Sequence, residues 1–112
     1  MSLVNKHIIT ALAPLGVPVS YLRYSGPEAT YITFHLYRAS GEVYEDDEEV
    51  ATGHWLQVDI WSKSDYSTLA SEVKRRLQLA GFHLLDEADF YEPDVEIYHK
   101  GIKCYYLEHQ EG

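Results

Sequence analysis

The sequence holds a single cysteine, Cys104, in 112 residues. An intrachain disulfide is thereby excluded, and the usage fits a reducing compartment. Long apolar runs are missing too, so no stretch approaches the length of a membrane span and no membrane association is expected. The N-terminal stretch MSLVNKHIITALAPLGVPV lacks a charged leader followed by a sustained apolar run and a small-residue cleavage site. The chain is expected to stay in the cytoplasm where it is made. Basic residues are scarce: nine against eighteen acidic ones give a formal charge of −9. That balance argues against a surface that grips nucleic acid phosphates, although a negative wall suits a place where a duplex slides past without sticking. At this length the chain makes one domain, residues 1–112, with a core large enough to hold without disulfides or metal.

What is present centres on Gly53 to Phe82. Leu56, Val58 and Ile60 alternate with Trp55, Gln57, Asp59 and Trp61, the period of a strand. The period then changes: Tyr66, Leu69, Ala70, Val73, Leu77 and Ala80 share one side of a helix, with Ser64 and Asp65 suited to its start and Gly81 to its end. No glycine-rich phosphate loop joins the two, so the pair reads as structural.

Upstream, residues Ser2 to Ala13 predict a short amphipathic helix capped by Ser2 and ended by Pro14, Gly16 and Pro18. Val19 to Tyr24 predicts a short edge strand. Tyr31 to Ala39 alternates Ile32, Phe34 and Leu36 with Tyr31, Thr33, His35 and Tyr37, and is expected to pair with His54 to Trp61. Downstream, Phe82 to Tyr91 and Ile102 to Glu108 predict two strands, with a turn at Glu92-Pro93-Asp94 and turn and contact residues from Val95 to Gly101. The fold class that follows is α+β, a two-layer domain with a mainly antiparallel sheet and two helices on one face, in the order α-β-β-β-α-β-β.

Between the two middle strands lies GEVYEDDEEVATG, with consecutive acids at Glu45, Asp46, Asp47, Glu48 and Glu49. Such a run reads as a solvated loop or as a self-repelling hairpin that projects into a lumen or toward a basic partner. It lacks the alternating ligands and central glycine of a calcium loop. His7, His35, His54, His83, His99 and His109 are scattered without zinc-protease spacing, and Cys104 has no cysteine partner, so no metal and no cofactor is expected. Asp59 and Asp89 are a candidate carboxylate pair, one that chance explains equally well in so acidic a chain. No nucleophile elbow, kinase signature or dinucleotide fingerprint occurs, and no enzymatic activity is expected.

The face opposite the aliphatic one carries large aromatics, Tyr31 and Tyr37 on one strand and Trp55 and Trp61 on the next. Either loops and the terminal helix cover that face, or it is a contact surface, a role aromatic side chains favour.

Tyr31-Ile32-Thr33-Phe34, Val58-Asp59-Ile60-Trp61-Ser62 leading into the Leu69, Val73 and Leu77 helix, Gly81-Phe82, and Asp89-Phe90-Tyr91-Glu92-Pro93-Asp94 with Tyr98-His99-Lys100 carry a resemblance. Over about Tyr21 to Glu108 the chain resembles the small tail-completion proteins of long-tailed phages and prophages, the tail terminator or tail-to-head joining proteins of siphoviruses. The resemblance implies a non-enzymatic virion assembly protein that caps the tail tube as a ring, typically a hexamer, and presents a surface to the head connector protein. It implies assembly in the host bacterial cytoplasm and a final place at the tail-head junction. Tyr31, His35, Tyr37, Trp55, Trp61, Tyr98, His99 and Lys100 are then the expected subunit or partner interface, and the acidic run borders the DNA channel. Two other readings stay open: an acidic adaptor or immunity-type inhibitor of a basic protein, and a small enzyme built on the histidine and carboxylate scatter.

Overall fold

The change of period after Ser62 becomes a strand running into a helix. In the computed structural model, which describes residues 3–45 and 48–109, the elements are α1 (Leu3–Leu12), a 3-10 turn (Ala13–Leu15), β1 (Val19–Tyr21), β2 (Tyr31–Glu45), β3 (Glu48–Ser62), α2 (Ser67–Leu79), β4 (His83–Glu92) and β5 (Ile97–His109). Ser2, expected to cap α1, and Asp46 and Asp47 of the acidic run lie outside the described residues. Asp65 starts α2 by accepting hydrogen bonds from the Ser67 backbone N–H at 2.8 Å and hydroxyl at 2.6 Å. Gly81, at φ +93°, closes the helix. The Phe82 N–H reaches back to the Leu77 carbonyl at 2.9 Å and the Gly81 N–H to that of Gln78 at 3.1 Å. That double closure needs a left-handed residue, which glycine supplies at the lowest steric cost.

The five strands lie in the order β1-β2-β3-β5-β4. β1 runs parallel to β2, and every other pairing is antiparallel. α2 carries the chain across to the far edge, and β5 then returns into the gap between β3 and β4. Both helices pack on one face. Val4, Ile8 and Leu12 of α1 and Ala70, Val73 and Leu77 of α2 join Ile32, Phe34, Leu56, Val58, Ile60, Ile102 and Cys104 in one buried cluster. Each fully buried large aliphatic or aromatic side chain there contributes about 1.5–3 kcal/mol of gross burial.

Two sequence expectations are corrected. Gly41 to Glu45 and Glu48 to Gly53 are paired strand, so of the two readings of the acidic stretch the hairpin holds and the loop does not: the β2–β3 ladder continues from Ser40↔Gly53 down to Glu45↔Glu48, with register shifts at Leu36/Arg38, Gly41/Val43 and Val43/Tyr44. Backbone pairing persists because Glu45, Glu48 and Glu49 are exposed, where water and salt screen their repulsion, and the bulges absorb the broken alternation. Likewise, Val95 to Gly101 is mostly strand. The turn is Pro93 to Glu96, Glu96 taking φ +51°, and β5 begins at Ile97 because Ile97 and Lys100 bury at 7% and 8% exposure.

The hairpin extension makes the molecule long, 53 × 24 × 24 Å, with a radius of gyration of 15.2 Å against about 13 Å for a compact chain of this size. β4 ends its pairing level with Trp55. From there β2, β3 and β5 run on together to Ala51 and β2 and β3 continue to Glu48, roughly 23 Å in all at the usual strand rise.

Cys104 sits in the core at 0% exposure, and burial pushes its thiol up to about 12. Thiol reagents at pH 8 are therefore expected to leave the folded chain unmodified and to label it fully in denaturant, as mass spectrometry would record; rapid labelling of the native chain would contradict the packing.

Candidate functional site

Cross-strand partners share a face, so the register lays out the side opposite the helices row by row. The first row is Tyr31, Trp61, His99 and Phe90. Its rings form a continuous rib: Tyr24 to Tyr31 at 4.7 Å between centroids, Tyr31 to Trp61 at 6.2 Å, Trp61 to His99 at 3.8 Å and His99 to Phe90 at 5.3 Å. The Tyr31–Trp61 and Trp61–His99 pairs are stacked, within 18° and 11° of parallel. Stacked rings spend their faces on one another and offer edges to solvent, which suits contact with protein better than stacking of bases or sugars.

The second row, Thr33, Asp59, Gly101 and Ala88, is small and polar. Asp59 is only 5% exposed. Its carboxylate accepts hydrogen bonds from His99 Nε2 at 2.6 Å and Gln57 Nε2 at 2.7 Å, with His35 Nδ1 at 3.8 Å. Trp61 Nε1 donates to Thr33 Oγ1 at 2.9 Å. Gly101 makes room for this network: a Cβ there would stand 3.1 Å from Gln57 Nε2 and 3.2 Å from Asp59 Oδ1. A buried carboxylate is tolerable only when so satisfied.

Further along come His35, Gln57, Lys103 and Asp86, then Arg38, Trp55, Tyr105 and His83. Tyr37 is the extra residue of the bulge between Leu36 and Arg38. The bulge lets both Tyr37 and Arg38 reach this face, Lys103 lying over the Tyr37 ring and Arg38 over the Trp55 ring. Tyr37 and Phe90 are 44% and 49% exposed, whereas Tyr31, Trp55, Trp61 and His99 are half-buried. Among the described residues no helix covers them.

Of the eight expected interface residues, Tyr31, His35, Tyr37, Trp55, Trp61 and His99 thus share the open face. Tyr98 and Lys100 do not. They alternate with His99 on β5 and point to the helix side, a consequence of strand parity that a turn assignment concealed. There they border a cleft of about 660 Å³ with Tyr66, Ser67, Lys74 and Asp89. The same parity separates Asp59 from Asp89, which stands opposite Lys100, so the candidate carboxylate pair is divided by the sheet. Sequence reading missed Phe90, Arg38, Lys103 and Tyr105 on the open face. Only a known strand order aligns them with β3.

On the helix side, Lys100 Nζ lies 3.1 Å from Asp89 and 3.4 Å from Glu87, which also meets Lys74 at 3.1 Å. Burial alone pulls the Lys100 ammonium down, but the Asp89 hydrogen bond and the Glu87 charge outweigh it and hold it above the ordinary lysine value. Hydrogen bonds from Tyr66 and then Lys100 hold Asp89 below the usual carboxylate range. The Lys74 hydrogen bond does the same for Glu87. Tyr66, desolvated and bonded to Asp89, is pushed up to about 12.

No protein-family model matches the sequence, and no curated protein matches it. Solved structures do. A chain in the virion of a native gene transfer agent particle shares the fold with a TM-score of 0.61 at 12% identity, over 96% of this chain and 92% of that one.

Two outcomes follow. Asp59→Ala leaves His99 and Gln57 without their acceptor, so urea unfolding should show a loss of about 1–3 kcal/mol with an altered Trp61 fluorescence. Because the folded values of Asp89 and Glu87 are lowered, their stabilisation is present above the unfolded carboxylate range and is lost as pH falls through the lower folded values. The acid limb of stability below about pH 4 should accordingly flatten in Lys100→Met, an effect read from thermal midpoints against pH.

Proposed function

We propose that this chain is a structural virion protein of a phage-like tailed particle, acting at the end of the tail tube to stop its growth and join it to the head. The observation that carries this reading is the fold shared, over nearly its whole length, with a chain of a gene transfer agent virion particle. The family resemblance of the aromatic strand motifs and of the tail from Asp89 to Lys100 supports the finer assignment to tail completion. In this reading the chain assembles as a ring, a hexamer in the virion, between the tail tube protein and the head connector protein, and DNA passes nearby without specific binding.

The open sheet face suits such a role. Aromatic and mixed-charge groups spread over four strands supply a contact area that a solitary chain leaves wet. The acidic arm supports a second reading, an adaptor that meets a basic protein one-to-one, since Glu45, Glu48 and Glu49 stand exposed at the far end of the molecule.

Electron microscopy of tails produced with and without the chain tests the proposal. Tubes of uncontrolled length, or tails that fail to join heads, are expected in its absence. Normal particles without it would overturn the reading, and capture of a basic partner that vanishes at high salt would favour the adaptor.

A further inference from the structure

The charge of −9 is unevenly spread along the protomer. On the open face Arg38 lies 4.4 Å from the Trp55 ring centroid and Lys103 lies 5.5 Å from that of Tyr37. Among the described residues neither cation is within 4.0 Å of a carboxylate. Asp59 is already engaged by His99 and Gln57, and Asp86, beside Lys103, accepts the Glu87 backbone N–H. Next to Lys103 the face holds a pit of about 200 Å³, lined by Gln57, Asp86, Ala88, Phe90 and Gly101. Its floor is small because Gly101 and Ala88 are paired there.

The opposite charge sits at the far end of the same chain. Tyr44 is 60% exposed, and Glu45, Glu48 and Glu49 are exposed with it. Among the described residues only the two strands build this end, since β5, described as far as His109, pairs with β3 as far as Ala51. A two-stranded ribbon on its own is marginal in water and gains from a surface to lie on. The arm runs along the strands and away from its own open face. A tip can therefore meet such a face only on another copy.

We propose that the end of the β2–β3 hairpin of one protomer docks on the open sheet face of a second copy, with Glu49 against Arg38 and Lys103 and Tyr44, the cross-strand partner of Glu49, over the pit floored by Gly101 and Ala88. The proposal rests on the reading of the chain as a self-assembling virion protein and names the contact that joins the copies. Tip and face are different patches, so the contact is heterologous and generates a ring when the rotation closes. Burial of Tyr44 and of the ring edges supplies affinity, while the exposed charges set orientation and salt dependence.

Light scattering of the full chain over a concentration series tests it, with three variants: Arg38→Glu with Lys103→Glu, Glu49→Lys, and Tyr44→Ala. The wild type is expected to associate, and each variant to weaken association by roughly tenfold while keeping its thermal midpoint. Mixing the two charge-reversed variants should restore association, because each tip then meets a face of opposite sign; a mere loss of packing would not be rescued. Charge reversals without effect, no rescue on mixing, or a wild type that stays monomeric at millimolar concentration would each overturn the contact. The virion reading is judged separately by tails made with and without the chain, so normal tail completion that depends on a chain with no tip-to-face contact would leave that reading standing alone.

Discussion

A sheet has two faces, and this chain has helices for one. α1 and α2 pack side by side over Ile32, Phe34, Leu56, Val58, Ile60 and Ile102, and that burial holds the domain together. The remaining face has to be stable without a covering layer. It manages by stacking its rings on one another and by giving the Asp59 carboxylate two hydrogen-bond donors, His99 and Gln57, so that it is internally bonded and only partly wet. A face already ordered in this way loses little conformational entropy on association.

The insertion of β5 between β3 and β4 has consequences of its own. It brings His99 into stacking contact with Trp61 and sets Gly101 beside Asp59. It also sends Tyr98 and Lys100 through to the other side, where Lys100 is neutralised by Asp89 and Glu87. Three consecutive residues thus serve two surfaces. The molecule divides into a body stiffened by helices and ion pairs and an arm whose described tip is a two-stranded ribbon, and this asymmetry underlies the head-to-tail reading of its assembly.

Much of the body was legible in the sequence. The switch from alternation at Leu56–Ile60 to helical spacing at Leu69–Leu77 gave β3 and α2, with Gly81 marking the stop, and the element order and class follow the pattern of apolar residues. The acidic arm was less legible: five consecutive acids and a broken alternation fit a loop as well as a projecting hairpin, because local pattern reports burial and Tyr44, Glu45, Glu48 and Glu49 at the end of the arm are exposed. His99 and Lys100 were legible as contact residues but not as residues on opposite faces. The comparison with a virion chain at 12% identity makes the same point, since packing geometry is shared where residue identity is not.

Periodicity, caps and composition, all short-range properties of the chain, determined the helices, the central strands, the acidic character and the single unpaired cysteine. Tertiary structure alone decided that β5 lies between β3 and β4, that the hairpin outruns its neighbours, and which aromatic rings stack into one rib. Those outcomes depend on pairings between residues some forty positions apart, such as Asp59 with His99. Such pairings are selected by the packing of the whole sheet, and no window of sequence contains them.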